Sequence, residues 1–140
     1  MFKKFTKVLV VDDNEIDRII SQEIIKSMGI TNEVIDFEKG KEALEYINKN
    51  CKSGNMEKQN LIFLDINMPG MNGFQFLQKF NQMAKHEGFM IVMLSSSIDS
   101  NDKLNSYNLN ASHYIEKPLT KEKISSIFNI YFNSLDILPK

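Results

Sequence analysis

The sequence predicts an α/β fold in which a doubly wound, five-stranded parallel sheet carries helices on both faces. Short apolar or β-branched segments alternate five times with longer segments of helical period, as in folds built from strand-helix repeats. Three of the short segments are almost entirely apolar, which is typical of strands buried in a parallel sheet. The length of 140 residues fits one domain, residues 1–140, that ends in a short tail at 135–140.

Each predicted strand is a short run of apolar or β-branched residues bounded by polar or turn-forming residues. The predicted strands are Lys7–Val11, Glu33–Phe37, Leu61–Leu64, Met90–Leu94 and Ser112–Glu116. Because a helix is predicted between successive strands, we expect the strands to run parallel.

The first helix is predicted to begin after Asp13 or Asn14, either of which suits an N-cap, and to end at Gly29, which suits a left-handed C-terminal turn. Its apolar residues recur at helical spacing and predict one face that packs on the core. These residues are Ile16, Ile19, Ile20, Ile24 and Met28.

Three further helices are predicted over Gly40–Asn50, Gly73–Met83 and Ser100–Asn108. The last of these offers only Leu104 and Tyr107 as core contacts, so we expect it to be the least firmly packed element.

The final helix is predicted over about Thr120–Asn133, with Thr120 as a candidate N-cap three residues before Lys123. Apolar residues repeat along it at the spacing of one helix face. They are Ile124, Ile127, Phe128 and Tyr131.

The polar segment Lys49–Asn60 is about twice as long as a usual connection and is predicted to be a surface insertion. Cys51 falls within it and is expected to have no chemical role.

The charge balance argues against several function classes. Seventeen basic and 18 acidic side chains give a net charge of -1, which does not favour binding to nucleic acid or to an anionic membrane. The longest apolar runs, Phe89–Leu94 and Leu61–Leu64, are far shorter than the roughly 18 residues of a membrane span. The apolar run Val8–Val11 leads directly into two aspartates, so no secretory signal is predicted. We expect a soluble cytoplasmic protein.

Polar side chains that carry chemistry follow the predicted strands. Asp12 and Asp13 follow the first strand, Asp65 the third, Ser95 the fourth and Lys117 the fifth. In open parallel sheets, ligands bind beyond the carboxyl ends of the strands, so we expect these five residues to meet at one edge. Singly, each has an ordinary interpretation as a helix cap, turn residue or surface charge. Together they predict a site.

Three neighbouring carboxylates repel one another and require a positive charge. Mg²⁺ prefers carboxylate and phosphate oxygens, and Lys117 can pair with an anion at the same edge. Carboxylates, a hydroxyl and a lysine around Mg²⁺ indicate phosphoryl transfer with an aspartate as nucleophile.

Four ordered motifs resemble those of response-regulator receiver domains of two-component signalling. They are Val8–Asn14, Leu64–Gly73, Val92–Ser96 and Tyr114–Pro118. The resemblance covers about residues 7–132, the core of the predicted domain. It implies a flavodoxin-like fold with strand order 2-1-3-4-5.

The resemblance also implies a role for each residue of the acidic cluster. Asp65 would be the phosphoacceptor, and Asp12 and Asp13 would support Mg²⁺, with Asp13 as a direct ligand. Asn67 would contribute its backbone carbonyl to the metal.

The remaining implied roles concern the phosphoryl group and the switch. Ser95 would hydrogen-bond a phosphoryl oxygen, Lys117 would pair with the phosphoryl group, and the bond from Lys117 to Pro118 would be cis. Tyr114 would be an aromatic switch coupled to Ser95, although an aromatic at a sheet edge can also be a packing residue. Asn110 stands where the family usually has glycine, and asparagine also tolerates a left-handed turn.

The first functional hypothesis is a stand-alone receiver that takes a phosphoryl group from a sensor histidine kinase or a histidine phosphotransfer protein. Its downstream target would be another protein, and its surface would allow a homodimer. It would not be an enzyme beyond slow self-dephosphorylation.

Two alternatives belong to other classes. A Mg²⁺-dependent phosphatase or phosphotransferase of small molecules would need a substrate cap and a general acid two residues after Asp65, where the sequence has Asn67. A non-phosphorylated interaction module would need a lost site residue, and none is missing.

Overall fold

The computed structural model describes residues 5–51, 59–83, 86, 88–97 and 99–136, with side chains of the last helix described as far as Asn129. In these residues five strands alternate with five helices. The elements are β1 (Lys7–Val11), α1 (Glu15–Met28), β2 (Val34–Phe37), α2 (Gly40–Asn50), β3 (Asn60–Asp65), α3 (Gly73–Phe80), β4 (Phe89–Ser95), α4 (Ser100–Asn108), β5 (His113–Glu116) and α5 (Lys121–Asp136). The predicted alternation is therefore confirmed, with α3 ending three residues before the predicted end.

All five strands form one parallel sheet in the order β2-β1-β3-β4-β5, which confirms the predicted doubly wound, flavodoxin-like arrangement. Strand β2 lies on one side of β1 in the sheet, and β3, which follows β2 in the chain, lies on the other side. The strand order therefore reverses between β1 and β3. The carboxyl ends of these two strands flank the crevice where ligands bind in such sheets.

The sheet separates two apolar cores, because alternate residues of a strand point to opposite faces. On β1, Leu9 and Val11 belong to one core and Val8 and Val10 to the other. Helices α2 and α3 cover the first core, and α1 and α5 cover the second. The largest helix side chains buried in them are Ile47, Phe76, Phe80, Ile25 and Phe128.

Helix α1 has its predicted ends but not its predicted buried face. Asn14 is the N-cap, and Gly29 adopts a left-handed conformation with φ of 65°. Ile24 and Met28 do pack against the core. Ile16, Ile19 and Ile20, by contrast, are 67%, 49% and 44% exposed.

The buried residues of α1 are Ser21 and Ile25. Ile16 and Ile25 are nine residues apart, which is about two and a half turns at about 3.6 residues per turn, so they lie on opposite sides of the helix. The predicted face was wrong because α1 is apolar on both sides and only one of them meets the sheet.

Helix α4 also packs differently from the prediction. Leu104 and Tyr107, the predicted core contacts, are 58% and 43% exposed. Ser106 is buried instead, and its hydroxyl donates to the carbonyl of Asp102 at 2.7 Å. A small side chain at this contact lets α4 lie close to its neighbours while its larger apolar side chains face outward.

Two predicted turn features are confirmed, and one placement is corrected. Asn110 has φ of 71°, and the bond between Lys117 and Pro118 is cis. Cys51 is buried in the core beneath α2 and α3 and does not lie in an exposed insertion. Residues 52–58 of the predicted insertion and residues 137–140 of the predicted tail lie outside the described residues.

Among the described residues, no helix combines the length and apolar composition that a membrane span requires.

Candidate functional site

Three carboxylates meet where β1 and β3 end. Val11 pairs with Leu64 across the sheet, so Asp12 and Asp65 follow side by side. One carboxylate oxygen from each of Asp12, Asp13 and Asp65 lies within 4.8 Å of the other two. Asp12 and Asp65 are only 1% and 4% exposed, whereas Asp13 faces solvent. The predicted acidic cluster is thus present, open on the side of Asp13.

Lys117 places a positive charge inside this cluster. Its ammonium lies 2.9 Å from Asp12 and 3.5 Å from the Oδ1 atom of Asp65. The backbone N–H of Lys117 donates to the carbonyl of Ser95 at 2.7 Å, which fixes the end of β5 to the end of β4. Sheet pairing therefore brings a lysine 105 residues away in sequence into contact with Asp12.

A third carboxylate on Lys117 was not predicted. The Oδ2 atom of Asp17, in the first turn of α1, lies 3.0 Å from the ammonium. Asp17 belongs to a helix and lies away from the strand ends that carry the predicted site residues. Its position was an available signal, because the first turn of the predicted helix begins directly after the acidic cluster and Asp17 lies in that turn.

Burial and neighbouring charges alter the protonation of both central groups. Burial, followed by the charge of Asp12, raises the pKa of Asp65 from 3.8 to about 7, against the opposing effects of Lys117 and the N–H of Asn67. Burial alone would lower the pKa of Lys117, but its hydrogen bonds with Asp12 and Asp17 outweigh this effect and raise it. Lys117 therefore stays charged, while Asp65 is a carboxylate that gains from added positive charge.

Ser95 and Tyr114 contact the same residue of the loop after β4. The fully buried hydroxyl of Ser95 accepts a hydrogen bond from the N–H of Ser97 at 3.0 Å. The hydroxyl of Tyr114 donates to the carbonyl of Ser97 at 2.8 Å. Ser97 thus connects the end of β4 to the aromatic ring on β5.

The loop after β3 and the start of α3 also contact Asp65. The N–H of Asn67 donates to Oδ1 of Asp65 at 3.3 Å. Gly73, which begins α3, approaches this strand closely, because a Cβ atom there would lie 2.6 Å from the carbonyl oxygen of Asp65 and 2.9 Å from Cα of Ile66. Glycine therefore permits the helix to pack directly behind the candidate phosphoacceptor.

Arg18 supports the site from outside and was also not predicted. Its Nη1 atom donates to the carbonyl of Asp12 at 2.9 Å, and its Nε atom pairs with Asp36 at 3.1 Å. The arginine thereby joins α1, the end of β1 and β2.

The donor set fits a hard divalent cation. Asp12, Asp13 and Asp65 offer oxygen atoms, which Mg²⁺ prefers, and their mutual repulsion exceeds what the single ammonium of Lys117 can offset. Beside Asp13, a cavity of about 370 Å³ opens between the loops after β2 and β3, lined by residues that include Lys39, Gly40 and Met71. The cluster is therefore reachable from solvent.

Known proteins resemble this chain in both sequence and fold. Residues 8–129 match the family model described as response regulator receiver domain. Response regulator Rcp1 of Synechocystis is 29% identical over 110 residues, covering 79% of this chain and 75% of the relative. A chemotaxis protein CheY homolog of Campylobacter jejuni is 30% identical over 125 residues, covering 86% of this chain and 91% of the relative.

A solved structure extends this similarity to the fold. The two-component response regulator from Cytophaga hutchinsonii has a TM-score of 0.79 and 28% sequence identity, with 94% of this chain and 99% of that chain covered. The residues matched by the family model, 8–129, include all three carboxylates of the acidic cluster.

Proposed function

Because the chain belongs to the family of response regulator receiver domains of two-component systems, we propose that it receives a phosphoryl group on Asp65 and changes a partner-binding surface in response. The observation that carries the proposal is the buried carboxylate of Asp65, held beside Asp12 and Lys117 at the open end of the sheet. Residues 1–140 would act as a single receiver domain.

The transfer exchanges one bond to phosphorus for another. A carboxylate oxygen of Asp65 attacks the phosphorus of a phosphohistidine, the P–N bond breaks, and the departing imidazole takes up a proton. Lys117 pairs with a phosphoryl oxygen, and the hydroxyl of Ser95 donates to another. Later attack by water on the acyl phosphate releases inorganic phosphate and restores the carboxylate.

Mg²⁺ is the proposed cofactor. Asp12, Asp13 and Asp65, with the backbone carbonyl of Asn67, would hold it. When bound, Mg²⁺ supplies positive charge that offsets the negative charge of the phosphoryl oxygens. In its absence the three carboxylates disfavour an incoming anion.

The proposed switch passes through Ser97. In the unphosphorylated protein the hydroxyl of Ser95 accepts a hydrogen bond from the N–H of Ser97. The carbonyl of Ser97 in turn accepts a hydrogen bond from the hydroxyl of Tyr114. To donate to a phosphoryl group on Asp65, the side chain of Ser95 would rotate towards it and lengthen its contact with Ser97. The loop after β4 would then be free to change its conformation together with Tyr114 and α4. Phosphorylation would thereby shift the population of two surface states.

The proposed phosphodonor is a sensor histidine kinase or a histidine phosphotransfer protein. The exposed side chains of Ile16, Ile19 and Ile20 support a protein donor, because exposed apolar patches mark interaction surfaces. Ile20 also lines a small cavity with Asp12 and Lys117, so this patch of α1 borders the site.

Phosphoryl labelling tests the proposal. The full chain is incubated with acetyl phosphate and Mg²⁺, and the modified peptide is identified by mass spectrometry. We expect one phosphoryl group on Asp65, no label on the Asp65→Asn variant, and little label with EDTA or in the Asp13→Asn variant. Glu45→Gln, which alters an exposed carboxylate on α2, should label normally.

Two results would contradict the proposal. Full labelling of the Asp65→Asn variant would place the phosphoryl group elsewhere. Rapid, repeated release of phosphate from small phosphomonoesters would favour the alternative of a phosphatase with an aspartate nucleophile.

A further inference from the structure

The ammonium of Lys117 is shared unequally among three carboxylates. Its two short contacts, 2.9 Å to Asp12 and 3.0 Å to Asp17, are hydrogen bonds, whereas Asp65 lies at 3.5 Å. An ammonium has three donors and no fixed plane, so its position follows the carboxylates that approach it most closely. Lys117 is therefore held towards α1 and away from the candidate phosphoacceptor.

Asp17 is fixed in place to make this contact. Its backbone N–H donates to the side chain of Asn14, the N-cap of α1, at 2.9 Å. Its carboxylate is 40% exposed, whereas that of Asp12 is 1% exposed. Asp12 also takes part in the acidic cluster, so Asp17 is the carboxylate on Lys117 that lies outside it.

A small cavity adjoins the contact between Lys117 and Asp17. Its volume is about 40 Å³, enough for roughly one water molecule, and its lining includes Asp17, Ser21, Lys117 and Leu119. Water can therefore solvate the carboxylate of Asp17 when the ammonium of Lys117 leaves it.

We propose that Asp17 is a positioning residue that holds Lys117 on the α1 side of the site and competes with the phosphoryl group for it. This inference rests on the proposed phosphorylation of Asp65. Pairing of Lys117 with the phosphoryl group requires that its hydrogen bond with Asp17 be lengthened or lost. Asp17 therefore favours the unphosphorylated arrangement, and its removal should favour the phosphorylated one.

The first test measures binding of beryllofluoride, a stable mimic of the phosphoryl group, in the presence of Mg²⁺. We expect Asp17→Asn to lower the Kd of the full chain roughly two- to five-fold, the range of a partly exposed ion pair. Asp17→Glu, which keeps the carboxylate, should restore most of the original affinity. Tighter binding is a result that a merely damaged fold would not produce.

Two controls separate the contact from the general electric field. Glu15→Gln removes an exposed negative charge from the same helical turn and should leave the Kd unchanged. In a Lys117→Ala background, Asp17→Asn should have no further effect. An equal effect with and without Lys117, or an unchanged Kd in the Asp17→Asn variant, would overturn the inference.

A crystal structure of the Asp17→Asn variant without Mg²⁺ tests the same inference independently of phosphorylation. The distance from Nζ of Lys117 to Oδ1 of Asp65 should become shorter than 3.5 Å. An unchanged distance would overturn the positioning role. Failure of the original chain to bind beryllofluoride at all would instead reject the proposed function.

Discussion

At the residue scale, Asp65 is held in a state that disfavours its own charge. Burial and the neighbouring Asp12 both oppose ionisation, and Lys117 only partly compensates. A carboxylate in this position destabilises the metal-free fold at neutral pH, because the unfolded chain ionises the same group freely. An added cation at this site therefore stabilises the carboxylate of Asp65 more than it would stabilise an exposed aspartate.

This preference predicts the effect of pH on the Asp65→Asn variant. The pKa of Asp65 is about 7 in the folded protein against 3.8 as the ordinary value, so the folded state binds more protons between about pH 4 and pH 7. The contribution of Asp65 to stability therefore falls as pH rises through this window. We expect Asp65→Asn to raise the free energy of unfolding at pH 8 by roughly 2 to 4 kcal/mol, at about 1.4 kcal/mol per pKa unit.

Urea denaturation without Mg²⁺ at pH 8, 6 and 4 measures this difference. The gap between the variant and the original chain should narrow towards pH 4. Glu45→Gln, at an exposed position on α2, should show no comparable change. A gap that stays constant across the three pH values would contradict the raised pKa.

Gly73 is the second position where a single residue controls the site. In the Gly73→Ala variant the new Cβ would meet backbone atoms of Asp65 and Ile66, which cannot rotate away as a side chain can. We expect a loss of roughly 1 to 3 kcal/mol in the free energy of unfolding and slower labelling of Asp65.

Gly29→Ala is the matched control for this prediction. Gly29 has φ of 65° and no atom within 4 Å of an added Cβ, so alanine there costs about 1 kcal/mol through backbone strain alone. It should leave the labelling rate unchanged. Equal effects of the two variants on labelling would show that close packing at Gly73 does not matter.

At the element scale, α1 has two apolar sides with different partners. One side, with Ile25, packs on the sheet, while the other presents three isoleucines to solvent beside the proposed site. An amphipathic helix normally exposes polar residues on its outer side. The exposed isoleucines are therefore better explained by binding to a partner than by folding.

Alanine substitutions on the two sides should separate these roles. Ile25→Ala leaves a cavity in the core and is expected to cost roughly 2 to 5 kcal/mol in the free energy of unfolding. Ile19→Ala should change stability by no more than about 0.5 kcal/mol, because the side chain is half exposed. Urea denaturation of both variants measures this, and equal losses would contradict the observed orientation of α1.

Helix α4 also has one buried side and one exposed side that carries apolar residues, but it has fewer apolar residues than α1. Ser106 is its buried residue, while Leu104 and Tyr107 point outward. With few large side chains in the core, α4 can shift at a small cost in packing. This property suits the proposed role of α4 as an element that moves with the loop after β4.

At the scale of the whole molecule, folding itself assembles the acidic cluster of the proposed metal site. The three carboxylates come from the ends of two neighbouring strands and repel one another once the chain is folded. A ligand that binds only the folded chain raises its free energy of unfolding by RT ln(1 + L/Kd), where L is the free ligand concentration. Mg²⁺ binding should therefore be visible as thermal stabilisation.

We expect saturating Mg²⁺ to raise the Tm and EDTA to reverse the change. At about 100 times Kd the gain is about 2.7 kcal/mol. The Asp13→Asn variant should lose most of the gain, whereas Glu45→Gln, on the exposed side of α2, should keep it. A thermal shift assay measures all three proteins, and an equal gain in the Asp13→Asn variant would contradict the proposed ligand set.

The sequence by itself determined the alternation of elements, a beginning of α1 after Asp13 or Asn14 and its end at Gly29, and the strand ends that carry Asp12, Asp13, Asp65, Ser95 and Lys117. These features follow from local periodicity and from the rule that parallel strands end at one edge. The tertiary structure decided which side of α1 is buried, since a helix with apolar residues on two sides does not fix its own rotation against the sheet. It also decided that Asp17 shares Lys117, and that Ser95 and Tyr114 both bind Ser97. Such contacts depend on the distance and rotation between elements far apart in the chain, which no local pattern encodes.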